Sequence, residues 1–191
     1  MLSASRAAAQ STATVRPLPY TRVVLPNGLV ALFNEDRSSP IVGVGISYHV
    51  GAKDERPGHT GLAHLCEHML FEGSPNVPAG QFMSIIKAVG GTSTRWASTS
   101  EDRTVYWETV PSTQLETALW LESDRMADPF GAMDSTRWDI VRGSIKNERQ
   151  LQVENRPFGS AEDLTLGALY GGEFPYRGPL GPMDDLNRAS F

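Results

Sequence analysis

Two histidines and a glutamate stand close together in one short segment and could hold a metal ion. His64, Glu67 and His68 form a His-x-x-Glu-His pattern within residues 61–71. At about 100° per residue, the three side chains share one narrow sector of a helix. Two histidines four residues apart can bind one tetrahedral zinc ion, whereas Cys66 points to the opposite, apolar side and is a poor ligand. The alternative is a solvated helix face that carries two ordinary histidines.

A metal site of this type needs a third protein ligand, and a second helical stripe supplies a candidate. Its members recur at intervals of three and four residues and are Trp138, Val141, Ile145 and Glu148. Glu148 therefore occupies a position where an apolar side chain is expected. An unpaired buried carboxylate is costly, and coordination to a metal removes that cost. The alternative is that the helix ends near Glu148 and the carboxylate reaches water or pairs with Arg149.

Apolar periodicity and turn residues predict the elements that must position these side chains. Asn27-Gly28 between two apolar runs indicates a hairpin formed by residues 21–25 and 29–33. The remaining predicted strands are 41–50 and 104–110, and the predicted helices are 58–71, 80–89, 111–126, 136–154 and 162–170. Strands grouped first, followed by helices mixed with hairpin-type strands, indicate an α+β fold rather than a doubly wound sheet.

The same patterns predict which side chains face inward. In the strand over residues 41–50, the alternating positions Val42, Val44, Ile46 and Tyr48 share one side. In the helix that Pro111 opens, the inward positions are Leu115, Leu119 and Trp120. Residues 171–182 are rich in glycine and proline and are expected to be irregular.

Length and composition exclude several classes of protein. The chain has 191 residues, 40% of them hydrophobic, so one domain with a sizeable core is expected. A net charge of −5 and the lack of a Lys/Arg stripe argue against a nucleic-acid binder. Cys66 is the single cysteine, so no intramolecular disulfide forms. The apolar runs are far too short for a membrane span.

The two ends of the sequence differ from its middle. Residues 1–18 are rich in Ala, Ser and Thr and carry no acidic residue, which favours a targeting leader or a disordered tail. The compartment stays open, with a periplasmic or exported location favoured and an organellar or cytoplasmic one retained. A helical pattern begins at Met183 and stops at Phe191, so residues 19–191 are expected to be the front part of something longer.

A series of motifs in order gives the chain a recognisable pattern. The motifs are Leu25-Pro26-Asn27-Gly28, residues 61–71, Gly90-Gly91, Asp102-Arg103-Thr104-Val105-Tyr106, residues 119–126, Lys146-Asn147-Glu148-Arg149 and Glu154-Asn155-Arg156-Pro157. From about Leu25 to Phe191 the sequence resembles the pitrilysin/insulinase family of zinc peptidases, which carry the inverted His-x-x-Glu-His motif. It looks like the N-terminal catalytic half-domain of the bacterial-type members.

This resemblance implies a fold and a role for each matching residue. The implied fold is a mainly antiparallel sheet with helices packed on it. His64, His68 and Glu148 match the three zinc ligands of the family, and Glu67 matches its general base. Two positions depart from the pattern. Val141 stands where the family usually has a second glutamate, and Trp96 stands where it usually has a substrate-binding asparagine.

The function implied is that of a zinc metalloendopeptidase. Zn²⁺ activates a water molecule, Glu67 takes its proton, and the peptide carbonyl is attacked. The strand after Gly91 is expected to hold an extended peptide or protein substrate by β-addition. A second homologous half-domain or subunit is the expected partner, since family members close it over the substrate. The alternative function is a peptidase-like subunit that binds a peptide or a partner with little or no turnover.

Overall fold

The computed structural model describes residues 17–93, 96–171 and 178–191. Its contacts divide the chain into two compact units, Met1–Pro40 and Ile41–Phe191. Residues 1–16 of the predicted leader or tail lie outside the described residues, as do residues 172–177 of the segment predicted to be irregular. Each unit is described below by itself.

The first unit contains the predicted hairpin. Strand β1 (Thr21–Val24) pairs antiparallel with strand β2 (Val30–Phe33), with Val24 opposite Val30. The turn closes where Gly28 N donates to Leu25 O at 2.9 Å. Gly28 has a φ of +88°, which an L side chain rarely adopts, so the Asn-Gly signal reflects a real backbone requirement.

The second unit is built on a three-stranded antiparallel sheet with the order β3-β5-β4. Strands β3 (Ile41–Tyr48) and β5 (Thr104–Pro111) form the long pair, and β4 (Ala97–Thr99) adds to the other side of β5. The predicted side of β3 is confirmed, because its more buried positions are the alternating ones that begin at Val42.

Six α-helices follow in the described part of this unit. They are α1 (Leu62–Met69), α2 (Gln81–Ala88), α3 (Leu115–Ala127), α4 (Ser135–Arg149), α5 (Ala161–Tyr170) and α6 (Met183–Arg188). Asp134 caps α4, because its side chain accepts from Arg137 N at 2.8 Å. Helix α4 continues directly into a π-helix over Gln150–Glu154, where the sequence predicted one uninterrupted helix. The predicted α+β fold is confirmed.

Two apolar clusters hold these elements together, and α1 belongs to the second. The first cluster joins the sheet to α2 and α3 and consists of Val44, Val77, Phe82, Ile86, Val110, Ala118 and Leu121. The second joins α1, α4 and α6 and consists of Leu65, Met69, Trp138, Val141, Ile145, Leu186 and Ala189. The apolar face predicted for α1 and the apolar stripe predicted for α4 therefore pack against each other.

Helix α3 differs from the prediction in both its start and its buried face. Strand β5 extends through Pro111, and the helix begins only at Leu115 after a short 3₁₀ turn. Leu115, Leu119 and Trp120, predicted to face inward, are exposed. The buried positions instead include Glu122 and Arg125, whose charges neutralise each other inside the protein. Apolar periodicity does not find a buried face of this kind.

Carboxylates fix the beginning of α1. Glu55 accepts hydrogen bonds from Gly61 N at 2.8 Å and Ala63 N at 2.6 Å, and Asp185 accepts from Thr60 N and Thr60 Oγ1. Gly61 has a φ of +89°, and a Cβ atom there would lie 3.0 Å from Leu180 O. Helix α1 therefore starts at Leu62, later than predicted, and its direction is fixed by these contacts.

Candidate metal centre

Helix α1 presents three possible metal ligands toward one point. His64, Glu67 and His68 lie on the side of the helix away from its apolar cluster, and their ligand atoms lie within 4.8 Å of one another. The two imidazole rings are 4.8 Å apart between centroids and nearly perpendicular. The three side chains lie together on one face of α1, as their helical spacing predicts.

The last turn of α4 brings Glu148 to the same point. Glu148 Oε2 lies 3.6 Å from His64 Nε2 and 3.5 Å from His68 Nε2. Zinc bonds of about 2.1 Å in a tetrahedron separate neighbouring donors by roughly 3.4 Å, so these spacings fit a shared zinc ion. The two imidazole nitrogens and the Glu148 oxygen therefore form a candidate donor set, beside the group of His64, Glu67 and His68.

Burial and neighbouring groups shift the pKa values of His64 and Glu148. Burial, followed by the neighbouring His68, lowers the pKa of His64 to about 4, while Glu148 opposes the shift. The hydrogen bond with His68 lowers the pKa of Glu148, and burial opposes this shift. At neutral pH, His64 is therefore neutral and Glu148 is ionised, and these are the forms in which imidazole and carboxylate bind a metal.

Glu67 has a different set of contacts from the other three residues. Thr99 Oγ1, on strand β4, donates to Glu67 Oε2 at 2.5 Å. The hydroxyl of Tyr106, on strand β5, donates to the backbone oxygen of Glu67 at 3.3 Å. Glu67 is thus tied to the sheet, while Glu148 is the carboxylate placed between the two histidines. Sequence reasoning missed Thr99 and Tyr106, because both contacts cross more than thirty residues of chain.

The π-helix after α4 adds a second contact to Glu148. Gln152 Nε2 donates to Glu148 Oε1 at 2.7 Å, which leaves Oε2 directed at the histidines. Arg149 contacts Glu154 and Asp163 instead, so the predicted alternative of a Glu148–Arg149 pair is not what the structure has. Sequence reasoning also missed Gln152, although its spacing of four residues from Glu148 is a usable signal.

Val141 and Trp96, the two positions that depart from the family pattern, both pack in apolar surroundings. Val141 is 3% exposed and packs in the apolar cluster between α1 and α4. Within the described residues, the buried His64 Nδ1 has no hydrogen-bond partner, although a metal-bound histidine usually donates this second N–H. Trp96 packs against the apolar cluster of the sheet, α2 and α3, and does not line the cleft.

A cleft of about 450 Å³ opens over the four residues. Strand β4 forms one wall, from Ala97 to Thr99, and the end of α4 with its π-helix forms another. Glu101, Glu162 and Asp163 add acidic side chains to the lining. The cleft therefore places the edge of a β-strand beside the candidate metal ligands.

A second cavity, of about 590 Å³, lies against the other side of α1. Tyr48, Leu62, Cys66, Leu70 and Tyr106 are among its lining residues. Burial raises the pKa of the Cys66 thiol, which keeps it protonated at neutral pH. Cys66 lines this second cavity and is not among the residues that line the cleft with His64, His68 and Glu148. In the described ranges, no helix has the length and apolar character that crossing a bilayer requires.

Comparisons with known proteins agree with this geometry. The family model described as Insulinase (Peptidase family M16) matches residues 30–170. The zinc protease PqqE of Helicobacter pylori is 30% identical over 170 residues, which cover 87% of this chain and 37% of that protein. The chain spans just over a third of the length of the first curated relatives that it matches.

Solved structures show the same relationship. A protease from Helicobacter pylori is 28% identical with a TM-score of 0.83, over 91% of this chain and 41% of that one. The first half of the periplasmic protease PqqL from Escherichia coli, at 23% identity, shows the fold alone; its TM-score is 0.75, over 90% of this chain and 37% of that one.

Zinc, the predicted cofactor, is the metal named for the relatives, and the described residues carry a His–Glu–His group able to hold it. The matched structures also include one half of a two-half protease. Family model, relatives and fold agree with the resemblance first seen in the motifs. The chain belongs to the insulinase family of peptidases, family M16.

Proposed function

We propose that this chain is the zinc-binding part of a metalloendopeptidase. His64, His68 and Glu148 hold the zinc ion, and Glu67 is the general base. The observation that carries this proposal is the position of Glu148 Oε2, 3.5 and 3.6 Å from two imidazole nitrogens on another helix. A carboxylate oxygen at nearly equal distances from two imidazole nitrogens suits a shared divalent cation.

The metal ion and Glu67 have different roles in the proposed hydrolysis of a peptide. Zinc supplies Lewis-acid activation of water and of the substrate carbonyl when it is bound. Glu67 takes the proton from the attacking water and then passes it to the amine that leaves. Glu67 suits this role because the sheet holds it through Thr99, while Glu148 Oε2 lies within 3.6 Å of an imidazole nitrogen of each histidine.

Strand β4 is the proposed substrate-binding element. It pairs with β5 along one edge, and among the described strands its other edge has no partner. The same strand forms a wall of the cleft. An extended peptide that adds to this edge gains main-chain hydrogen bonds and passes the metal ligands. This arrangement supports a peptide or protein substrate.

We further propose that residues 19–191 are part of an N-terminal catalytic domain that works with a second homologous half-domain or subunit. Support comes from the length, just over a third of the first curated relatives, and from the matched first half of a larger protease. A peptide held on one side only gains few contacts, and water has free access to the reacting groups. Both effects weaken transition-state stabilisation.

The proposal is tested by peptide hydrolysis at equal zinc occupancy. The chain alone is expected to cleave peptides slowly, because its cleft is open. Adding a homologous second half, as a continuation of the chain or as a separate subunit, should raise the rate at least tenfold. Vigorous cleavage by the 191-residue chain alone contradicts the role given to the second half. Lack of cleavage with the second half present contradicts the peptidase assignment.

A second candidate is a subunit that binds peptides or a partner without turnover. Two observations favour it: Val141 packs in an apolar cluster, and among the described residues the buried His64 Nδ1 has no hydrogen-bond partner. Peptide affinity and peptide cleavage, measured on the same zinc-loaded sample, separate the two. Binding without cleavage, with the second half present, favours this candidate.

A further inference from the structure

We infer that Thr99 is a positioning residue that sets the orientation of the Glu67 carboxylate. This inference rests on the proposed function, in which Glu67 is the base. The distance of 2.5 Å from Thr99 Oγ1 to Glu67 Oε2 is short for a hydroxyl–carboxylate pair and indicates a strong, charge-assisted hydrogen bond. Glu67 is 7% exposed, so little water competes for this contact.

Two acceptors lie near the Thr99 hydroxyl, the Glu67 carboxylate and the hydroxyl oxygen of Thr104, and Glu67 is the closer one. Thr104, opposite Thr99 in the sheet register, donates its hydroxyl proton to Val50 O at 3.0 Å. Its oxygen lies 3.4 Å from Thr99 Oγ1, much farther than the Glu67 carboxylate. A threonine hydroxyl has one proton to donate, and the charged acceptor at 2.5 Å is the stronger partner. Thr99 is therefore a donor to Glu67 in the ionised state of the base.

The hydrogen bond from Thr99 restrains the side chain of Glu67, whereas the hydrogen bond from Tyr106 restrains only its backbone. Tyr106 holds the main chain of Glu67, but a glutamate side chain still has three rotatable bonds beyond the backbone. A hydrogen bond to Oε2 restricts those rotations and fixes the plane of the carboxylate. Misplacement of a reacting group by about 1 Å can cost on the order of a hundredfold in rate. The Thr99 hydroxyl therefore acts on the chemical step through Glu67, whereas the main chain of β4 is the part of the strand proposed to bind the peptide.

The hydrogen bond between Thr99 and Glu67 connects the proposed base to the proposed peptide-binding strand. Thr99 is the last residue of β4, the edge strand proposed to bind the peptide. One short hydrogen bond thus ties the base to the strand that positions the scissile bond. Loss of the hydroxyl should change kcat while KM and zinc content stay close to those of the wild-type chain.

Three variants test the inference. Thr99→Val removes the hydroxyl at nearly constant shape, and Thr99→Ser keeps it. Thr109→Val makes the same change on β5, outside the lining of the cleft. Zinc content, kcat and KM are measured with the second half supplied as above. The affinity for a peptide hydroxamate, whose N–OH group needs an acceptor at Glu67, is measured on the zinc-loaded chain alone.

Thr99→Val is expected to hold one zinc per chain, to lower kcat about tenfold at unchanged KM, and to bind the hydroxamate about tenfold more weakly. Thr99→Ser and Thr109→Val should match the wild-type chain in all of these. The inference is overturned if Thr99→Val binds the hydroxamate as tightly as the wild-type chain does. It is also overturned if Thr99→Ser is impaired as strongly as Thr99→Val. A wild-type chain that binds neither zinc nor hydroxamate instead contradicts the proposed function itself.

Discussion

Two clusters of ionisable side chains contact the same tyrosine. They differ in whether an arginine lies within the cluster. On one side, the hydroxyl of Tyr106 reaches the backbone of Glu67 beside His64, His68 and Glu148. On the other side, the ring of Tyr106 lies 4.1 Å from the guanidinium carbon of Arg125, which pairs with Glu122 at 2.5 Å. We call these the histidine cluster and the arginine cluster.

The arginine cluster contains its own cation and is closed to water. Arg125 and Glu122 are each 1% exposed, and the rings of Phe82 and Tyr106 lie against the guanidinium. Burial and the neighbouring Glu122 raise the pKa of Glu108 to about 8, so this second carboxyl is protonated at neutral pH. The cluster thereby reaches near neutrality without any ligand.

Among the described residues, the histidine cluster contains no arginine or lysine, and it opens into the cleft. The side chains of His68 and Glu148 are 31% and 30% exposed, and a low pKa keeps His64 neutral. A neutral His64 and an ionised Glu148 suit a cation that arrives from outside. Buried charge alone therefore does not mark a metal site. Convergent donor atoms that are open to solvent distinguish this cluster from the arginine cluster.

The largest expected effect is the loss of the internal cation. Arg125→Met should lower the free energy of unfolding by about 3–5 kcal/mol, because it leaves the Glu122 carboxylate buried and unpaired. Arg37→Met, which removes the exposed pair with Glu35, is the control and should cost about 0–1 kcal/mol. Chemical denaturation measures both variants. Similar small losses in both would show that the arginine cluster is not the closed ion cluster described here.

The next effect separates the two carboxylates of the histidine cluster. Glu148→Gln should weaken zinc binding by about a hundredfold, since it replaces a charged ligand with a neutral amide. Glu67→Gln should leave zinc affinity nearly unchanged and reduce peptide cleavage by at least a hundredfold. Competition with a chelator measures the affinities. If Glu67→Gln lost the metal and Glu148→Gln kept it, the two roles would have to be exchanged.

A smaller effect concerns the contact that orients Glu148. Gln152→Leu removes the donor 2.7 Å from Glu148 Oε1 and should weaken zinc binding about tenfold. Gln150→Leu, in the same π-helix but outside the cleft lining, should not change the affinity. The same chelator competition applies. Equal affinities for both variants would mean that the π-helix does not support the metal site.

The last effect is a pH dependence of stability from the arginine cluster. The pKa of Glu108 is about 8 in the folded protein and ordinarily 4.5, so the unfolded chain loses this proton first as the pH rises. The contribution of Glu108 to stability is therefore present below about pH 4.5 and lost as the pH approaches 8.

Glu108→Gln removes this titration and should raise the free energy of unfolding at pH 8, relative to pH 5, by a few kcal/mol, because each pH unit between the two pKa values contributes about 1.4 kcal/mol. Chemical denaturation at the two pH values gives the difference. A wild-type chain and a Glu108→Gln variant with identical pH dependence would show that Glu108 does not titrate as described.

The histidine cluster was largely predictable from the sequence, and the arginine cluster was not. Three of its four residues lie within five positions on one helix, and Glu148 interrupts an apolar stripe, so local periodicity reveals both. The arginine cluster joins Glu108 on β5 to Glu122 and Arg125 on α3, and nothing in the local pattern marks these charges as buried. Thr99 and the π-helix were missed for the same reason, since both depend on contacts between distant elements.

The central claim is that the histidine cluster holds one zinc ion through two histidines and Glu148. The most direct test is the zinc content of the purified chain, measured by atomic spectroscopy beside the double variant His64→Ala, His68→Ala. The account predicts about one zinc per wild-type chain and none in the double variant, because the remaining carboxylates do not make a zinc site. Full zinc content in the double variant would contradict it.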